Sequence, residues 1–221
     1  MLHRFIKVAA LFCLSATVAC RASSGAVKLP DPATDAPLSK NKSTQTVVLA
    51  GGCFWGIQAV FKHVKGVSSA TAGYSGGSAQ TAQYETVSTG TTGHAESVRV
   101  VYDPSQVSFG QILKVFFSVA HDPTELNRQG PDEGTQYRSA IFYAGDDQKQ
   151  VAEAYITQLN ESKVFRKKVV TQVAPLKGFY PAESYHQNYL ALHPDNPYIV
   201  YNDLPKLGEL KKQFPELYRS R

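Results

Sequence analysis

The stretch QTVVLAGGCFWGIQAVFKHV, residues 45–64, changes its periodicity halfway along. From Gln45 to Ala50 it is a short run ending in four consecutive apolar residues, the pattern of a buried strand. Gly51 and Gly52 break the run. Ile57, Val60, Phe61 and Val64 then recur at i, i+3, i+4 and i+7, which is one face of a helix. The stretch therefore reads as strand, tight turn, helix, with Cys53 at the turn beside the first helical residues. That position suits a reactive thiol. The thiolate is the attacking form of cysteine, and the unpaired N–H groups and dipole of a helix start favour it. The glycines permit the turn and let a substrate come close to the backbone.

Working outward, strands are expected over 67–74 and 95–102. Ser108 can cap a helix whose inner face is Ile112, Val115, Phe116 and Val119. A strand over 139–144, a helix over 146–160 and a strand over 168–174 follow. The C-terminal tract mixes short helical pieces with Pro181, Pro194, Pro197, Pro205 and Pro215, and should wrap the core irregularly. Strands and helices alternate unevenly, which points to an α+β fold: a two-layer sandwich with helices packed on a mixed β-sheet around a ferredoxin-like core. One domain, residues 45–221, accommodates this, and no internal repeat is present.

The N-terminus has a different character. Arg4 and Lys7 precede an almost wholly apolar run over residues 8–19. Such a segment has the form of a signal peptide (residues 1–19) and is too short to be a transmembrane span. Its end, Thr17-Val18-Ala19-Cys20, resembles a bacterial lipoprotein cleavage site, so Cys20 is expected to carry a lipid. Residues 20–44, rich in Ser, Pro, Ala and Asp, read as a flexible linker from that tether. The chain is thus expected to be exported to the periplasm or cell envelope, with membrane anchoring through Cys20. Part of the net charge of +5 leaves with the leader, and much of the rest sits in Lys206, Lys211, Lys212, Arg219 and Arg221. No basic cluster is interleaved with aromatics, which argues against nucleic-acid binding. Of the three cysteines, Cys13 and Cys20 belong to the leader and its end, so Cys53 alone remains in the folded body. An unpaired thiol in an oxidising compartment is a liability unless its reactivity is used.

Gly52-Cys53-Phe54-Trp55-Gly56 resembles the active-site signature of the peptide methionine sulfoxide reductase A family. Further segments resemble that family in the same order: 72–77 (AGYSGG), 84–87 (YETV), 92–96 (TGHAE), 101–104 (VYDP), 121–124 (HDPT), 134–139 (GTQYRS) and 186–190 (HQNYL). The resemblance runs from about Val47 to about Leu190. It implies an oxidoreductase that reduces methionine S-sulfoxide, free or in proteins, and so repairs oxidised proteins. Cys53 would be the nucleophile and become a sulfenic acid, and Glu96 would donate a proton to the sulfoxide oxygen. To do so near neutral pH, Glu96 must be buried in weakly polar surroundings. Tyr84 and Tyr137 would hold that oxygen, Asp132 would order water or the substrate backbone, and Phe54 and Trp55 would wall the S-methyl group. No cofactor or metal is implied.

The chain departs from the family at two places. Gln58 stands where Glu is common, and no cysteine follows Cys53 to attack its sulfenic acid. The electrons must then come from an external thiol, a thioredoxin-like protein or another, acting directly on Cys53, with the enzyme expected as a monomer. The residues alone leave two other readings open. One is another thiol enzyme, either a thiol peroxidase or a cysteine hydrolase, the hydrolase using His94, His121 or His186 as base. The other is a binding module whose aromatics cage a ligand. Metal binding is not expected, since the histidines lack ligand spacing.

Overall fold

The computed structural model describes residues 28–220. Its strands are β1 (Gln45–Ala50), β2 (Val67–Ser75), β3 (Ala95–Tyr102), β4 (Arg128–Gln129), β5 (Asp132–Glu133), β6 (Ala140–Tyr143), β7 (Gln172–Pro175) and β8 (Tyr180–Pro181). Its helices are α1 (Phe54–Lys62), α2 (Tyr84–Val87), α3 (Phe109–Val115), α4 (Asp146–Glu161), α5 (Tyr189–Leu192) and α6 (Leu204–Gln213). Six strands form one sheet in the order β7-β6-β1-β3-β2-β8, while β4 and β5 make a separate hairpin. Within the sheet, β6-β1-β3-β2 is antiparallel throughout. Since β1 and β2 both run against β3, α1 is a crossover between parallel strands, and α3 makes the second crossover from β3 to β6. This is the ferredoxin-like arrangement, extended by β7 parallel to β6 at one edge and β8 antiparallel to β2 at the other.

Alternation decides which side chains meet the helices. Val47 and Leu49 of β1, Val98, Val100 and Tyr102 of β3, and Ile141 of β6 join Ile57, Val60, Phe61, Ile112, Leu113 and Val115 in the main core. Each such burial is worth about 1.5–3 kcal/mol, enough for this one layer to fix the register. The opposite face is smaller: Val48, Ala50, Ala95, Ala140 and Phe142 are covered by Ala174, Leu176 and Phe179.

The structure differs from sequence expectation in four places. The helix begun at Ser108 ends at Val115 and continues as a π turn over Phe116–Ala120. The strand expected over 168–174 begins only at Gln172, because Val169 and Val170 spend their N–H groups on Asn160 Oδ1 and the Pro123 carbonyl. The C-terminal tract contains a ten-residue helix, α6, which Pro205 opens from within its first turn, where its missing N–H costs nothing. Finally, the described part of the expected flexible linker is docked. Leu29 is buried, the Pro30 carbonyl accepts from the Tyr155 hydroxyl, Asp31 pairs with Lys114, and Asp35 accepts from Ser108 and from the Gly110 N–H. Its polar composition concealed one apolar anchor and two acids set opposite donors. The expected leader and lipid attachment at Cys20 lie outside the described residues. Among the described residues, no helix is long and apolar enough to cross a membrane.

Candidate active site

Cys53 occupies the N-cap position of α1, directly after the double-glycine turn. Gly52 has φ +96, and a Cβ there would lie 2.5 Å from the Gln129 side chain, so both conformation and space require glycine. From the sequence, the helix start should favour the thiolate and so lower the pKa of Cys53. The structure overturns this: Cys53 is only 8% exposed, and burial pushes its pKa well above the usual thiol range. The carboxylates of Glu96 and Asp203 push the same way, while the Trp55 N–H and the Lys206 ammonium oppose them. Desolvation of the thiolate outweighs the helix start.

Glu96 lies on β3 in the same alternation as Val98 and Val100, so its side chain points into the helix layer beneath the start of α1. It is 3% exposed, and Oε2 accepts the Phe54 N–H at 3.1 Å, closing one of the orphan donors at the helix start. Burial raises its pKa to about 8; the Phe54 N–H acts against this, and Asp132 and Asp203 add to it. Near neutral pH this carboxyl holds a proton a few atoms from the thiol, through a shared stretch of backbone.

The remaining expected residues converge on the same place. Tyr84 opens α2, and its N–H is held by Glu183 Oε1 at 2.9 Å. Tyr137 closes the turn Thr135–Tyr137. Burial raises the pKa of both phenols, and the charges of Glu96 and Cys53 reach both. Asp132, on β5, is also raised by burial and accepts from the Tyr198 hydroxyl. Phe54 is buried to 1% and packs on Tyr74 and His186. Trp55 keeps some exposed surface, is stacked on Tyr189 at 3.7 Å between ring centroids, and donates its indole N–H to His186 Nδ1 at 3.2 Å.

Four contributors were not identified as site groups from sequence: Tyr198, Glu183, Asp203 and Lys206. Tyr198 feels the Cys53 charge and holds Asp132; Glu183 holds both the Tyr84 N–H and, at 2.8 Å, the Tyr74 hydroxyl. All four come from the tract after β8, where no periodicity signals what returns to the core. Gln58 is explained: its amide donates to the Ala70 carbonyl and to Gln187 Oε1, and its Oε1 accepts the Asn188 N–H. It clamps the C-terminal tract to β2.

The histidines do not form a base for Cys53. Both ring nitrogens of His94 are engaged, by the Gly77 N–H and the Ser78 carbonyl. His121 bonds Ser139 Oγ and the Phe116 carbonyl, and burial lowers its pKa to about 3. His186 Nδ1 serves Trp55 and its Nε2 has no partner. Among the described residues, no group of three or more His, Cys, Asp or Glu could hold a metal ion.

A buried thiol beside a protonated carboxyl, ringed by phenols, can attack a soft electrophilic centre while protonating the oxygen it bears. Comparison with known proteins agrees with that chemistry. Residues 45–218 match the family described as peptide methionine sulfoxide reductase. The chain is 60% identical over 178 residues to peptide methionine sulfoxide reductase MsrA 2 of Mesorhizobium japonicum, covering 80% of this chain and 91% of that protein. It is 51% identical over 195 residues to MsrA 2 of Synechocystis, covering 87% and 91%. Among solved structures it resembles reduced Mxr1 of Saccharomyces cerevisiae, with TM-score 0.63, 32% identity and coverage of 74% and 92%. Methionine sulfoxide reductase A of Corynebacterium diphtheriae is similar at TM-score 0.59 and 33% identity, with coverage of 76% and 90%.

Proposed function

The chain belongs to the peptide methionine sulfoxide reductase family, and from that premise we propose how its own residues carry out the reaction. It is a thiol-dependent oxidoreductase that reduces methionine sulfoxide to methionine. The Cys53 sulfur bonds to the sulfoxide sulfur and gives up its own proton as Glu96 gives its proton to the oxygen, and the thiol proton restores the Glu96 carboxyl. The adduct collapses as hydroxide passes to Cys53, which becomes a sulfenic acid, and methionine leaves. Cysteine is oxidised by two electrons and the substrate sulfur is reduced by two. Tyr84 and Tyr137 hold the oxygen, Asp132 fixed by Tyr198 orders the polar side of the pocket, and Trp55, braced by Tyr189, forms the apolar wall. Phe54 sits deeper and supports that wall.

One observation carries this reading: Glu96, with its pKa raised to about 8, binds the N–H of the residue that follows Cys53. Acid and nucleophile are thus held at one helix start. Two external thiol groups then restore Cys53, releasing water and a disulfide; a thioredoxin-like protein is the proposed donor of both, acting on a monomeric enzyme. The S-epimer of the sulfoxide is the proposed substrate. Turnover of the separated epimers, free and in peptides, with dithiothreitol tests the assignment. Methionine should form from the S-epimer with wild type and not with Cys53→Ser, and an equal rate in the variant would refute the role of Cys53.

We further propose that the chain is exported and lipidated at Cys20, so that it serves proteins of the cell envelope. The basic start, apolar run and Thr17-Val18-Ala19-Cys20 support this. Mass spectrometry of the membrane fraction should find a mature N-terminus at Cys20 carrying acyl mass. An intact Met1 in the soluble fraction would overturn it.

A further inference from the structure

A charged pair lies behind the first turn of α1. Asp203, at the end of the π turn Ile199–Asp203, has a completely buried side chain, and its Oδ1 accepts from Lys206 Nζ at 3.0 Å. Asp203 Oδ2 has no hydrogen-bond partner. The pair presses on Gly56: a Cβ built there would lie 2.1 Å from Asp203 Oδ1 and 2.9 Å from Lys206 Nζ. Gly56 is the third residue of the helix that Cys53 caps, and α1 carries no acidic residue of its own in that turn. A buried carboxylate there opposes a second negative charge on the sulfur, and a half-buried ammonium favours it.

We propose that Asp203 and Lys206 are a positioning pair that sets how readily Cys53 yields its proton, Lys206 promoting its loss and Asp203 resisting it. This rests on Cys53 being the reactive thiol. The fields of both groups reach Cys53 with the signs the geometry requires. The other titratable groups around the thiol come from several neighbouring elements: Glu96 on β3, Tyr84 on α2, Asp132 on β5, Tyr137 in the turn before β6, and Tyr198 and His186 in the C-terminal tract. Substitutions at the pair leave these residues in place, though Glu96 and Tyr198 also feel Asp203 and Asp132 also feels Lys206; on the thiol itself the two charges act directly and with opposite signs. Those substitutions should therefore move the thiol in opposite directions, which a merely structural contact would not do.

The test is the rate of Cys53 alkylation by iodoacetamide against pH in the full chain. Lys206→Met should raise the midpoint by roughly one pH unit, slowing alkylation about tenfold at neutral pH, and Asp203→Asn should lower it. Lys206→Arg should restore a midpoint near wild type. Lys206→Gln keeps a donor for Asp203 without the charge, so it serves if Lys206→Met does not fold, and should shift upward as well. Midpoints that stay in place, or that move the same way in the Lys206 and Asp203 variants, would overturn the proposal. Turnover of methionine sulfoxide by Cys53→Ser separates the two readings. Loss of turnover with unmoved midpoints removes the pair and keeps Cys53, while shifted midpoints with turnover retained do the reverse.

Discussion

Glu96 shows how one side chain acquires its property from place. On sequence alone it is a carboxylate in a strand; beneath α1, burial raises its pKa to about 8. The donor form is present below that pH and is lost as pH rises through it, so single-turnover methionine formation should fall on an alkaline limb near pH 8. Glu96→Gln should lower the rate by about 10²–10⁴-fold and abolish the limb. A limb that persists in the variant would assign it to another group. The same shift has a stability consequence with a definite sign. Between the ordinary carboxylate range and about pH 8 the unfolded chain has released this proton and the folded chain has not, so stability declines as pH rises across that window. Urea unfolding of Glu96→Gln from pH 5 to pH 9 should show a flatter profile than wild type.

Among the elements, α3 illustrates a sequence signal that was legible but incomplete. Ser108 was readable as an N-cap, and the structure adds the reciprocal Gln111 bond of a capping box. What the local pattern could not give is Asp35, which reaches Ser108 and the Gly110 N–H from 73 and 75 residues away. Ser108→Ala and Asp35→Ala should each cost about 1 kcal/mol, and the double variant less than their sum, since they share one network. Strict additivity in urea denaturation would show that the two act independently. At α1, Gly56→Ala must displace the buried Asp203 carboxylate, and overpacking of this kind costs about 1–3 kcal/mol. A thermal midpoint equal to wild type would show that the pair yields freely.

Over the whole molecule, the domain gathers distant segments around one helix start. A chain beginning at Ser43 loses the docked residues 28–41, among them buried Leu29, and should be less stable than one beginning at Lys28 by about 2–3 kcal/mol in urea. Equal stability would return that segment to the status of a linker. The sequence by itself determined the strand–turn–helix around Cys53, the α+β class and the identity of Cys53, Glu96, Tyr84, Tyr137 and Asp132 as candidates, because apolar periodicity and ordered motifs are local properties of a chain. Tertiary structure alone decided that the thiol is buried and its pKa raised, that Glu96 sits on the Phe54 N–H, and that Tyr198, Glu183 and the Asp203–Lys206 pair return from the C-terminal tract to surround it. Burial and electric field depend on what packs from afar, and no local spacing of residues encodes them.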